Sequence, residues 1–231
     1  MTVNRKLPGV LGGMGPDATV DFMAKVIALT RGEKDQDNIQ MLVDHNPTVP
    51  NRQDAILGQG EDPGPALAAM ACRLEAAGAD FLVMPCNTAH VFEQAIIEAV
   101  GIPLVSIIDE TINAVPGDCS AVGLLATDGC LKAGVYQRGL EAMQLTAIEP
   151  TTDEMRELMQ AIYAIKAGNA DKSTGVKIRS LAEALVARGA GAVIAGCTEI
   201  PLALEQSMLE VPLLSSTDIL AQKTVQLALS E

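Results

Sequence analysis

At 231 residues the chain is long enough for two domains of about 100 residues each. Hydrophobic residues make up 48% and charged residues 19%, the balance of a globular enzyme rather than a disordered chain. A formal net charge of -13 repels a phosphate backbone, and three Phe, two Tyr and no Trp offer no stacking platform, so nucleic acid is excluded as a partner.

Met1–Leu7 carry Arg5 and Lys6, but no apolar stretch of signal-peptide length comes after them. No window holds the roughly 18 apolar residues that a membrane helix needs. Five cysteines at irregular spacing argue against a disulfide framework. A cytoplasmic protein with reduced thiols and no membrane association is expected.

Short apolar runs alternate with longer segments of helical period, the pattern of βαβ units on a parallel sheet. In chain order, strands are expected at Leu7–Gly12, Ile39–Val43, Phe81–Met84, Leu104–Ile107, Ala121–Leu125, Leu145–Ile148, Ala192–Ala195 and Pro212–Leu214. A helix from about Pro65 to Ala77 stops at Gly78. Another starts at Thr151, where Thr151 and Glu154 form a capping box ahead of Met155, Leu158, Met159, Ile162 and Ile165. It ends at Gly168, in the place of a C-cap glycine. The final helix, Thr217–Leu229, is expected to return to the first domain.

A weak internal repeat organises the chain. AGADFLVMPCNT (Ala77–Thr88) aligns with RGAGAVIAGCTE (Arg188–Glu199), and IPLVSIID (Ile102–Asp109) with VPLLSSTD (Val211–Asp218). GVLGGMG (Gly9–Gly15) sits more loosely against GLLATDG (Gly123–Gly129). The expected fold is therefore α/β: two similar domains related by a pseudo-twofold axis, with mainly parallel sheets and the active site in the cleft between them. The domains are placed at 1–103 plus 213–231 and at 104–212.

The repeat superposes Cys86 on Cys197. Each comes directly after an apolar strand and precedes a predicted helix, beyond the carboxyl end of the strand where open α/β sheets bind ligands. A helix N-terminus there would lower a thiol's pKa toward neutrality. Asn87, Thr88 and Thr198 supply amide or hydroxyl donors. A free cysteine is ordinarily a small buried hydrophobe, but two at the same point of a repeat, each trailed by polar residues, favour chemistry. Cys72 reads as helix core, Cys119 as part of a linker, and Cys130 as a strand-end residue within a ligand's reach. No Cys/His set at zinc spacing occurs.

Met84-Pro85-Cys86-Asn87-Thr88-Ala89-His90 and Ala195-Gly196-Cys197-Thr198-Glu199-Ile200-Pro201-Leu202 resemble the paired signatures of the aspartate/glutamate racemase superfamily. The resemblance takes in Gly12-Gly13-Met14-Gly15-Pro16, Asn46-Pro47 with Pro50-Asn51-Arg52, Gly123-Leu124-Leu125-Ala126-Thr127 and Ile162–Gly168, nearly the whole chain. Glu199 stands where glutamate racemases usually carry histidine, so the sequence looks like the aspartate racemase branch. Thr127-Asp128-Gly129-Cys130 departs from the Thr-Thr-Gly-Thr often found there.

The resemblance implies a cofactor-independent racemase of aspartate or a related amino acid, with no pyridoxal phosphate and no metal, assembled as a homodimer. Cys86 and Cys197 would be opposed acid and base, one removing the Cα proton while the other delivers a proton to the opposite face. Met14, Gly15, Arg52, Asn87, Thr88, Thr127, Lys166, Thr198 and Glu199 would surround the substrate. Arg52 suits bidentate binding of the side-chain carboxylate. Lys166 also fits a helix-terminal cation, and Glu199 fits either the substrate ammonium or a neighbouring side chain. His90, one turn beyond Cys86, and His45 are candidates for tuning a thiol or for structural hydrogen bonding. The rival readings are another enzyme of the superfamily, of maleate isomerase or malonate decarboxylase type, and a non-catalytic two-domain ligand-binding protein.

Overall fold

The computed structural model describes residues 5–230; of the N-terminal segment carrying Arg5 and Lys6, residues 1–4 lie outside the described residues. The chain divides into two compact units, Met1–Glu110 with Thr217–Glu231, and Thr111–Ser216. Each unit is an α/β half built on four parallel strands.

The first half runs β1 (Pro8–Gly12), α1 (Pro16–Thr30), β2 (Leu42–His45), α2 (Arg52–Ile56), α3 (Gly64–Ala76), β3 (Phe81–Val83), α4 (Glu93–Ala99), β4 (Leu104–Val105) and α5 (Ile107–Asn113), the last crossing the unit boundary. Its strand order is β2-β1-β3-β4. Pro16 opens α1, where a missing N–H costs nothing. Ala18, Phe22 and Val26, four residues apart, bury one face of that helix. Leu67, Met70, Ala71 and Leu74 do the same for α3. Burial of each such leucine is worth roughly 1.5–3 kcal/mol.

The second half runs β5 (Ala121–Ala126), α6 (Asp128–Ala133), α7 (Val135–Ala142), β6 (Thr146–Ile148), α8 (Thr152–Lys166), α9 (Lys172–Ala187), β7 (Ala192–Gly196) and β8 (Leu213–Ser215), in the order β6-β5-β7-β8. Both halves thus share one strand order. The expected capping box at the start of α8 is present: the Thr151 hydroxyl accepts from Glu154 N at 3.4 Å and the Glu154 carboxylate accepts from Thr151 N at 2.8 Å. Gly78 and Gly168 stand just past the helices they were expected to end. α10 (Ser216–Ala228) closes the described chain, and all but its first residue belong to the first unit.

Three expectations are corrected. The second strand is not Ile39–Val43 but Leu42–His45, because its pairing with Gly9–Gly12 selects those four residues while Ile39 is buried in the preceding irregular segment. Ile107 leaves its strand to begin α5. Cys72 is exposed, since it falls off the α3 stripe of Leu67, Met70, Ala71 and Leu74.

Candidate active site

In each sheet the connection direction reverses between the first and third strands, and the carboxyl ends of those strands form the crevice where α/β sheets bind ligands. In the first unit these ends lead into Gly13–Gly15 and Cys86; in the second they lead into Thr127 and Cys197.

Gly13 has φ +95, and a Cβ there would lie 2.7 Å from Pro47 N, so only glycine permits this turn beside the Asn46-Pro47 loop. Its N–H donates to the Thr19 hydroxyl at 2.8 Å. Gly15 is the N-cap of α1. Met14 is 2% exposed and belongs to the same apolar cluster as Val49, Cys86 and Ala89. Arg52 opens α2, and its Nη1 donates to the carbonyls of Val49 and Pro50, both at 3.0 Å. The guanidinium therefore braces the loop that carries it.

Cys86, Asn87 and Thr88 are all buried. The chain then enters a short 3-10 turn, Thr88–Phe92, rather than an α-helix. His90 does not meet the thiol through a ring nitrogen; its Nδ1 lies 2.9 Å from the Cys86 carbonyl oxygen, and its Nε2 accepts from Ile107 N. Burial lowers its pKa to about 4, against a smaller opposing pull from that carbonyl.

In the second unit Ala126 pairs with Gly196, which sets Thr127 beside Cys197. The Thr127 hydroxyl caps α6 by accepting from Cys130 N at 3.3 Å. The Cys197 thiol donates to Glu199 Oε2 at 3.0 Å, and the Thr198 hydroxyl approaches the same oxygen at 3.4 Å. Glu199 Oε1 is 2.9 Å from Lys166 Nζ. Lys166 thus reaches a buried carboxylate from the end of α8. Burial first, and then the Glu199 charge, push the Cys197 thiol well above its ordinary value, with Lys166 pulling the other way. The expectation of a depressed thiol pKa is corrected here: a 3-10 turn, Ile200–Leu202, replaces the helix that was to lower it, and a carboxylate stands against the sulfur.

Cys130 is fully buried rather than within a ligand's reach. Asp128 pairs with Lys132 at 3.2 Å and lines a surface depression of about 380 Å³. Two features escaped the sequence reading. Tyr136 is fully buried against Gly196, hydrogen-bonded to Thr111 and Ser216, and close enough to Cys130 and Cys197 to feel their charge. Its signal was slight: one of only two tyrosines, in a helix whose other core residue is Leu140. Gln53 holds both amide atoms buried without a partner among the described residues. Among those residues no cluster of His, Cys, Asp or Glu is arranged to hold a metal ion, and no helix is long and apolar enough to cross a membrane.

The model of the Asp/Glu/hydantoin racemase family matches residues 11–224, which includes both cysteine motifs. The chain belongs to that family. It is accordingly an amino-acid racemase, an isomerase. It is 32% identical over 222 residues to the broad specificity amino-acid racemase RacX of Bacillus subtilis (strain 168), covering 94% of this chain and 96% of the relative. Among solved structures it is similar to an aspartate racemase of Picrophilus torridus, with a TM-score of 0.87 at 27% identity, covering 96% of this chain and 94% of that one. An aspartate racemase homologue from Pyrococcus horikoshii OT3 gives a TM-score of 0.79 at 27% identity, covering 98% and 100%. The two α/β halves of this racemase match the architecture of those neighbours.

Proposed function

We propose that this racemase interconverts the enantiomers of aspartate or a closely related acidic amino acid without a cofactor, using Cys86 and Cys197 as acid and base on opposite faces of Cα. The observation that carries the reading is positional equivalence. Each thiol lies just beyond the third strand of its sheet, at the same place in the same strand order, and each is 5% exposed. Those strand ends are where open α/β sheets bind ligands, which gives both thiols a common use.

Racemisation breaks the Cα–H bond on one face and forms a new one on the other. A thiolate accepts the first proton as a thiol supplies the second, and the next turnover in reverse restores the starting protonation. The carbanion is stabilised where its charge collects, on the α-carboxylate, by donors from Asn87, Thr88 and Thr198. Met14, Gly15 and Thr127 line the strand ends, and Arg52 takes the side-chain carboxylate. Aspartate is favoured by the name of the Picrophilus torridus neighbour; the breadth of RacX makes a panel of amino acids the proper assay. A homodimer in the cytoplasm, where both thiols stay reduced, completes the proposal.

The test is racemisation of L-aspartate in D₂O after dialysis against a chelator, with mass spectrometry of the separated enantiomers at low conversion. The expected result is D-aspartate almost fully deuterated at Cα beside L-aspartate that remains protiated, and the mirror result from the D-isomer. Cys86→Ser and Cys197→Ser should each abolish turnover while keeping the fold. Protium carried into early product would overturn the two-thiol reading and favour a single acid/base.

A further inference from the structure

The second thiol is the end of a chain of three ionisable groups. Lys166 Nζ lies 2.9 Å from Glu199 Oε1, and Glu199 Oε2 lies 3.0 Å from Cys197 Sγ. The Lys166 side chain is 32% exposed and that of Glu199 only 4%, so the chain descends from a solvated ammonium to a buried thiol. A buried carboxylate needs a compensating charge and hydrogen-bonded oxygens. Lys166 satisfies one oxygen; the other is left for the thiol proton, with the Thr198 hydroxyl at 3.4 Å. A carboxylate so engaged is poorly placed to serve as the main partner of a substrate ammonium.

We infer that Glu199 is a positioning residue for Cys197: it holds Cys197 as the protonated member of the pair in the resting enzyme and takes that proton when Cys197 must act as base. This rests on the two-thiol racemase reading. The step moves one proton and no electrons. The S–H bond breaks as an O–H bond forms on Oε2, leaving a thiolate beside a neutral carboxylic acid; the thiolate then removes the Cα proton. In the opposite direction the thiol gives its proton to the carbanion, and the resulting thiolate is reprotonated through the carboxyl group. The net charge of Cys197 and Glu199 stays at one negative during the internal transfer, and Lys166 offsets it.

Tyr136 is a further ionisable group that feels the charge of this thiol. Burial keeps the Tyr136 phenol above its ordinary pKa and therefore neutral, so it adds no charge near neutral pH. Beyond burial, which raises the Cys197 thiol most, Glu199 raises it further and Lys166 lowers it.

The experiment is the pH profile of kcat and kcat/KM for the wild type, Glu199→Gln and Glu199→Asp, with circular dichroism on each. Glu199→Gln removes the negative charge and the proton acceptor but keeps the size. Its alkaline limb should move down by about one pH unit or more, because the charge that raised the Cys197 thiol is gone. Its kcat should fall at least about tenfold. Glu199→Asp should return the limb toward the wild-type position. An unmoved limb in a folded Glu199→Gln, with KM alone raised, would overturn the inference and make Glu199 a substrate contact. The deuterium experiment on the wild type separates the two claims. Solvent deuterium in the product with an unmoved limb defeats only the role of Glu199, whereas retained protium defeats the two-thiol reading beneath it.

Discussion

The backbone N–H of Ile107 donates to Nε2 of His90 at 3.3 Å, and this contact fixes the tautomer of a buried ring. Nδ1 then carries the proton and donates it to the Cys86 carbonyl oxygen at 2.9 Å. The neutral imidazole is thereby a clip between the Cys86 turn and the start of α5.

Protonating that ring would leave the Ile107 N–H facing a second donor, which agrees with the fall in its pKa from 6.5 to about 4. Below pH 6.5 the unfolded chain binds a proton that the folded chain refuses. The contribution of His90 is therefore fully present above about pH 6.5 and is lost as pH falls toward 4, by about 3 kcal/mol in all. Urea unfolding at pH 7.5, 6 and 5 should show the decline, and His90→Gln should flatten it. An equal slope in the variant would assign the pH dependence to other groups.

Arg52→Ala should raise KM for aspartate far more than KM for an uncharged amino acid. Loss of a charge-assisted contact to the side-chain carboxylate costs on the order of 2 kcal/mol, or about 30-fold. The variant also loses the brace on the Val49 and Pro50 carbonyls. That brace serves every substrate alike, so the ratio of the two effects is the informative quantity. A ratio near one would leave Arg52 with the loop and remove it from substrate recognition.

Thr151→Ala should cost about 1 kcal/mol of stability with activity unchanged. The hydroxyl satisfies Glu154 N, and the Glu154 carboxylate also accepts from both terminal guanidinium nitrogens of Arg188, each at 2.8 Å. The Glu154 carboxyl is accordingly held below its ordinary pKa, chiefly by Arg188. Thermal unfolding of the variant beside the wild type measures the cost, and a change under about 0.2 kcal/mol would show the cap to be dispensable.

Features that depend on neighbours in sequence were legible. The start of α8 is set by Thr151, Glu154 and an apolar period that all lie within one stretch, and β7 by an unbroken apolar run. Cys72 went astray because an Ala-rich helix blurs which face is apolar; its position between the buried Ala71 and Leu74 turns outward. The strand at Leu42–His45 depends on register against β1, which no local pattern near Ile39 reveals. Both candidate thiols were visible through the repeat, but their electrostatics were not. The Glu199 carboxylate turns onto Cys197 where the backbone enters a 3-10 turn, and Lys166 arrives from the end of a helix far earlier in the chain. Tyr136 is likewise placed by packing against Gly196, a contact that nothing in its own helix announces.

α10 belongs to the unit that the chain begins, not to the one it has just left. Leu220, Ala221, Thr224 and Ala228 are all fully buried, and the Ala228 carbonyl accepts from Lys6 N at 3.0 Å. Synthesis therefore delivers the two halves out of order: the half started first is completed last. The polypeptide leaving the ribosome holds every residue of the inner unit, 111–216, while the outer one still awaits the helix that seals it. Until then the apolar seat of Leu220 and Ala221 stands open, and a chain cut after Ser216 would keep every residue of the inner unit but leave the outer one exposed to misassembly.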